Sequence, residues 1–320
     1  MIRIKRCLPA GFPTPKYSVI CVVIFMFFYV LVSGCSVEKT AQETITKTTK
    51  KIVREITFAG DGLKKVVTVV RFEDKSAQAQ EDFLKKFHED IIAYLNNNCG
   101  GLIISESRAL TQLPKLASGQ TDNYALAVVG RQLGVNAVIA GSMNYIRPMD
   151  EEQGILWTKD THYMIEVLVR ADVYDTRTAT KTLDEGFTES VEIDETQYRL
   201  IQDQGVYSEP QISEALERIV TDLGDRICEV IEEQNWTGFV TAVEREKVTI
   251  ATGGPVGLKV GNVLQVFDSG MVLDGVNGQR FIVPGRKRAE IEIVEVTEKQ
   301  AMAKLFPGQE IKVGDVVRKK

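Results

Sequence analysis

Residues 66–72, Val66-Val67-Thr68-Val69-Val70-Arg71-Phe72, are rich in β-branched side chains and show no polar alternation. Such a run is stable as a strand when both of its faces are covered, so it demands a layered fold. The next segment supplies one cover. Over residues 77–98, Phe83, Phe87, Ile91 and Leu95 recur four apart, with Lys85, Lys86, Glu89 and Asp90 between them. That is one apolar stripe along a helix. Asn96-Asn97-Asn98-Cys99-Gly100-Gly101 ends it with residues that tolerate positive φ, and Leu102-Ile103-Ile104 starts a second strand. A second helix is expected over 122–133, capped at Thr121 or Asp122 and stopped at Gly134, followed by a strand over 135–146.

Residues 163–174 alternate strictly. Tyr163, Ile165, Val167, Val169, Ala171 and Val173 share one face, while Glu166, Arg170 and Asp172 lie on the other. One wet side implies an antiparallel neighbour. Turn residues over 175–181 let 182–193 return as that neighbour. A long helix over about 210–234 carries Ile212, Leu216, Ile219, Leu223, Ile227 and Val230 as its buried stripe. The expectation for this region is an α+β fold, a mixed sheet with helices.

After Trp236 the texture changes. Short strands over 239–244, 247–252, 260–267, 280–283, 289–296, 300–305 and 313–318 are punctuated by glycines, which describes a small all-β barrel or sandwich. Lys259-Val260-Gly261-Asn262-Val263 echoes Lys312-Val313-Gly314-Asp315-Val316, a turn from which a strand sets off in a new direction. Within 289–296 the apolar phase slips from positions 291 and 293 to 294 and 296, which marks a bulge. The glycines of 252–257 precede a strand, so they form a turn and not a phosphate cradle.

At the other end, residues 1–34 hold Arg3, Lys5, Arg6 and Lys16 and no acid, then an apolar run over 19–32, then Ser33 and Gly34 ahead of Cys35. That is the order of parts of a secretory signal, and the apolar run falls short of the roughly 20 residues of a comfortable spanning helix. Leu31-Val32-Ser33-Gly34-Cys35 resembles the bacterial lipobox, which implies acylation of Cys35 and its exposure as the first mature residue. Ser36, where an aspartate would signal inner-membrane retention, implies the periplasmic face of the outer membrane. The organisation expected is a signal peptide over 1–34, a polar tether over 35–62, the α+β domain over 63–235 and the barrel over 236–320. Without the four leader cations the chain carries 35 basic and 44 acidic residues, net −9. Such a surface repels phosphate backbones and argues against nucleic acid as a partner. Cys99 and Cys228 are then the thiols left after Cys35. An oxidising compartment would join them, while two buried free thiols fit the sequence equally well.

Catalytic and metal signatures are weak. His88 and His162 lie in different elements, and HExxH, CxxC, Walker and GxSxG patterns are all missing from the sequence. Asp150-Glu151-Glu152 lacks the alternating oxygen ligands of a calcium loop. Arg286-Lys287-Arg288, with Arg280 nearby, is the one basic knot; it reads as a charged strand edge, with anionic glycan or lipid head groups as the alternative. No enzyme, cofactor or metal is expected.

Three stretches carry a resemblance over residues 64–234. They are 66–73 (VVTVVRFE), 131–142 (RQLGVNAVIAGS) and 171–175 (ADVYD). Through them this region resembles the domain shared by curli secretion channel lipoproteins and the amino-terminal domain of Tol-system propeller proteins. Residues 236–320 resemble the carboxy-terminal domain of flagellar H-ring assembly proteins through Lys247-Val248-Thr249-Ile250, Gly257-Leu258-Lys259-Val260-Gly261 and Lys312-Val313-Gly314-Asp315-Val316. The chain departs from the curli family in the connection over 147–162, read as a short loop whose Asp150, Glu151, Glu152, Lys159 and Asp160 are costly in hydrocarbon. The resemblances imply an anchored periplasmic scaffold that assembles a secretion or flagellar structure, with envelope assembly proteins as partners and a homo-oligomeric ring as one form. The alternative they imply is a regulatory lipoprotein that activates a peptidoglycan synthase.

Overall fold

The computed structural model describes residues 62–76, 81–105, 110–154, 159–207 and 209–320, so the leader, Cys35 and most of the tether lie outside the described residues. Its first half is built on one mixed sheet. Strands β1 (Lys65–Val69), β2 (Glu73–Asp74), β3 (Leu102–Ile104), β4 (Ala137–Gln153), β5 (Asp160–Asp175) and β6 (Thr180–Ile193) are ordered β3-β1-β4-β5-β6, with β2 pairing β4 beyond β1 on the same side. β1 is parallel to β3 and β4, whereas β4, β5 and β6 run antiparallel.

The both-faces requirement on β1 is met. Val67 and Val69 face helices α1 (Glu81–Asn98) and the long α4 (Glu209–Glu232), in a core with Phe87, Ile91, Ile219 and Leu223. Val70, on the opposite face, packs with Leu126 of α2 (Asn123–Gln132), and Val66 meets both that cluster and the barrel core. The stripes read on α1 and α4 are buried as expected. Asp122 is the α2 cap, its carboxylate accepting the Ala125 N–H at 2.9 Å.

Of the segment over 147–162, residues 147–153 and 160–162 are strand and not loop, and residues 155–158 lie outside the described residues. β4 and β5 continue as a hairpin whose register pairs Arg147 with Glu166 and Gln153 with Asp160. Charge does not stop the strands, because cross-strand ion pairs use it: Arg147–Glu166 at 2.8 Å and Lys159–Glu152 at 2.6 Å. Pro148 falls where β4 has β5 on one side and no strand on the other, the place a ladder tolerates proline. A further helix, α3 (Glu195–Gln204), lies against this extension. Its Tyr198 ring sits 4.7 Å from Tyr163 and its hydroxyl donates to Asp150 at 2.6 Å.

The second half is a closed antiparallel barrel. β7 (Gly238–Glu244), β8 (Lys247–Ile250), β9 (Val263–Phe267), β12 (Lys287–Val296), β13 (Ala301–Leu305) and β14 (Val316–Lys319) close in the order β12-β13-β8-β7-β14-β9. Alternate residues such as Val248, Ile250, Leu264, Val266, Ile291 and Ile293 fill it. The bulge lies where the phase slips, between Ile293 and Glu295. Residues 280–283 are not a barrel stave. They form β11 (Arg280–Val283), which pairs with β10 (Met271–Asp274) as a separate hairpin, because the Asn277-Gly278 turn closes 271–283 on itself.

The two echoed turns are the same bond for bond. The Lys259 N–H donates to Asn262 Oδ1 and the Lys312 N–H to Asp315 Oδ2, each at 2.9 Å. Gly261 and Gly314 have φ of 87° and 91°. Each glycine N–H donates to a neighbouring strand, Gly261 to Ile293 and Gly314 to Val240, both at 2.8 Å. Positive φ at this position of the turn is why glycine stands there.

Candidate functional site

The described residues all belong to one compact unit, and the stretch over 131–142 builds the joint that unites its halves. Arg131, in the last turn of α2, lies over the Phe239 ring at 5.4 Å. Its Nε donates to the Thr176 carbonyl at 3.0 Å, one terminal nitrogen to Ser269 at 3.2 Å and the other to the Arg177 carbonyl. Burial pulls its pKa below the usual arginine value, with Asp175 pulling it back. Asn136 accepts the Val66 N–H at 2.9 Å and donates to the Thr237 carbonyl, so one amide ties β1 to the start of the barrel. Gly134 has φ of 70°, and a Cβ there would fall 1.8 Å from the Ala251 carbonyl oxygen. The barrel in turn receives the chain's beginning. Leu63 is buried in the barrel core and the Lys64 N–H donates to Val256 at 2.8 Å.

Cys99, just after α1, and Cys228, in α4, form a disulfide with Cα atoms 5.7 Å apart and a sequence separation of 129. The same two helices meet at Gly224, where a Cβ would strike the Tyr94 ring, and Tyr94 donates to Asp225 at 2.9 Å. Both cysteines are buried. Cys35 lies outside the described residues.

The two histidines are far apart in role. His88 is half-buried on α1 and lines an open cleft of about 820 Å³ together with Thr68, Arg71, Glu73 and Ser105. Polar groups of that cleft are engaged with the fold: the Thr68 hydroxyl donates to the Ser105 carbonyl at 3.0 Å, and Glu73 pairs with Lys115 at 2.9 Å. His162 stands on β5 at the exposed end of the sheet, 3.1 Å from Glu192. Among the described residues, no group of three or more His, Cys, Asp or Glu side chains gathers in a metal-holding arrangement. Among them, too, no helix is long and apolar enough to cross a membrane.

Three of the four cations of the basic knot are paired. Lys287 meets Glu290 at 2.6 Å, Arg288 meets Asp268 at 3.5 Å, and Arg280 meets Asp122 at 3.6 Å while lying 4.2 Å over the Tyr124 ring. Lys287 and Arg288 open β12 where β9 pairs it and β13 does not yet.

Two groups of site residues escaped the sequence. Asn136 carried a signal, a lone amide within an apolar run, which a buried strand keeps when its hydrogen bonds are filled. The β10–β11 hairpin carried one too, two apolar runs flanking Asn277-Gly278. Arg131 carried none, since a cation in the last turn of a helix is ordinary.

No protein-family model matches the chain, and no curated protein matches it. Solved structures do. A hypothetical protein, CT253, from Chlamydia trachomatis is 15% identical, covering 52% of this chain and 99% of its own, with a TM-score of 0.32. The lipoprotein GNA1162 from Neisseria meningitidis is 11% identical over 52% of this chain and 99% of its own, at 0.28. The PelC dodecamer from Paraburkholderia phytofirmans is 11% identical over 55% and 91%, at 0.29. At such scores these likenesses carry no argument about this chain's role.

Proposed function

We propose that this chain is an acylated lipoprotein held at the periplasmic face of the outer membrane, where its two joined halves act as a non-catalytic scaffold in a secretion or flagellar assembly. The observation that carries the reading is the sequence Leu31-Val32-Ser33-Gly34-Cys35 at the meeting of an apolar leader and a polar tether. A cysteine acylated there anchors firmly, since each buried methylene contributes about 0.8 kcal/mol. The Cys99–Cys228 disulfide fits the oxidising compartment that this address implies. The binding role draws on the joint. Arg131, Asn136 and Gly134 fix sheet and barrel as one body, which presents several faces at a set angle.

Mass spectrometry of protein purified from membranes is the first test, with loss of residues 1–34 and a glyceride adduct on Cys35 as the expected result. Electron microscopy of the detergent-solubilised protein is the second. Rings or defined complexes support the scaffold, whereas monomers without a stable partner in native extracts would remove it. Recovery of a peptidoglycan synthase in crosslinks would favour the regulatory alternative.

A further inference from the structure

We infer that the outer face of the β10–β11 hairpin lies on the bilayer to which the chain is tethered. In an antiparallel pair alternate residues share a face, and the register sets Met271 opposite Val283 and Leu273 opposite Phe281. The inner face is covered in part: Ile282 is buried against Ala127 and Ala179, while Val272 opposite it is 42% exposed. The outer face is not, with Met271 64% exposed, Leu273 46%, Val283 40% and Val276, in the connecting turn, 80%. Monomeric soluble proteins rarely leave contiguous apolar surface of this kind open without a use.

The hairpin is a firm platform. The Ile282 N–H donates to the Thr178 carbonyl at 2.8 Å, Asn123 Nδ2 to the Arg280 carbonyl at 2.7 Å and Gln279 Nε2 to the Thr121 carbonyl at 3.0 Å. The apolar side chains therefore stay outside, because the backbone is pinned to α2 and to the β5–β6 turn.

The occupant follows from where the described chain begins. Residue 62 lies against Gly257 of the barrel, and the 26 residues from 36 to 61 separate that point from Cys35. Fully extended, a chain of that length reaches at most about 90 Å. The tether thus enters at the barrel, the half that carries the hairpin, and β9 between them is only about 17 Å long. The rim adds little charge. Arg280, Lys287 and Arg288 are paired with Asp122, Glu290 and Asp268, which leaves the exposed Arg286, so the contact rests chiefly on apolar side chains and depends only weakly on salt.

This inference rests on acylation at Cys35, and its test separates the two. The full-length acylated protein is placed in phosphatidylethanolamine–phosphatidylglycerol vesicles, with an environment-sensitive dye on Val276→Cys or, as a control, on Val206→Cys between α3 and α4. Quenching by brominated lipid at 276 and not at 206, little changed by salt, is expected. Adding Leu273→Asp should weaken that quenching roughly tenfold or more while the anchor holds. An acylated protein whose dye at 276 stays in water overturns the inference and leaves the anchor standing. Equal quenching at both positions overturns it as well, and so does concentration-dependent shielding at 276 before vesicles are added, which would assign the face to a second copy. If mass spectrometry finds Cys35 bare, the anchor fails on its own, and absence of quenching at 276 by added vesicles then overturns the inference too.

Discussion

In the sheet half, partners come from far apart in sequence. β1 pairs with β4 some seventy residues later, and Cys99 is bonded to Cys228. In the barrel, β7–β8 and β12–β13 are hairpins closed over a few residues, and alternate side chains fill the interior. The surfaces differ as sharply. Of the twelve exposed large apolar residues among those described, nine lie beyond Trp236, so most of the exposed large apolar side chains belong to that half. Long-range closure spends apolar side chains on the inside, under α1 and α4. A small barrel has less interior to offer them.

Opening the disulfide should have the largest effect. Closure of a loop of this length is worth about 3–5 kcal/mol, so Cys228→Ser should lower the urea midpoint and release amide protection in α1 and α4 before the barrel. Simultaneous loss in both halves would break the contrast. Gly134→Ala comes next, at about 3 kcal/mol, because a positive φ combines with a clash against the Ala251 carbonyl; chemical denaturation measures it. Arg131→Met leaves three carbonyls without their donor and should cost about 2 kcal/mol, splitting one calorimetric transition into two. Gly261→Ala and Gly314→Ala should each cost about 1 kcal/mol and agree closely, since the turns are equivalent; unequal costs would deny that equivalence.

The smallest effect belongs to pH. Hydrogen bonding from Arg170, and then from Lys181, holds the Asp184 carboxyl below the usual carboxylate range. A depressed native pKa contributes stability that is present above the unfolded value and lost as pH falls through the native one. The pair is exposed, so screening leaves about 1 kcal/mol or less. Asp184→Asn should flatten the acid limb of the stability curve slightly, and an unchanged limb would remove this contribution.

Much of the architecture was legible because periodicity reports burial directly. The stripe at 83, 87, 91 and 95, the alternation over 163–174 and the phase slip over 289–296 each had one physical explanation, and the structure has those features. α3 was missed since it buries little beyond Ile201, yet Asp194 and Gln197 form a capping box and Gly205 closes it, a signal that was present locally. The extension of β4 and β5 was misread because charge was weighed residue by residue, and only the register reveals that Arg147 faces Glu166. The stretch over 131–142 stood out in sequence as a fold signature. Its residues bind one half to the other, a relation between segments a hundred residues apart that no local pattern encodes.

Leu63 is among the first described residues, and it is walled in by staves that begin only at Gly238. A chain made from its amino end therefore carries this leucine, with Val66 and Ile103, without its barrel cover until residues 238–319 have been added. The carboxy-terminal barrel thus acts as the clasp of the whole body. A product cut short before residue 238 therefore cannot cover its own Leu63.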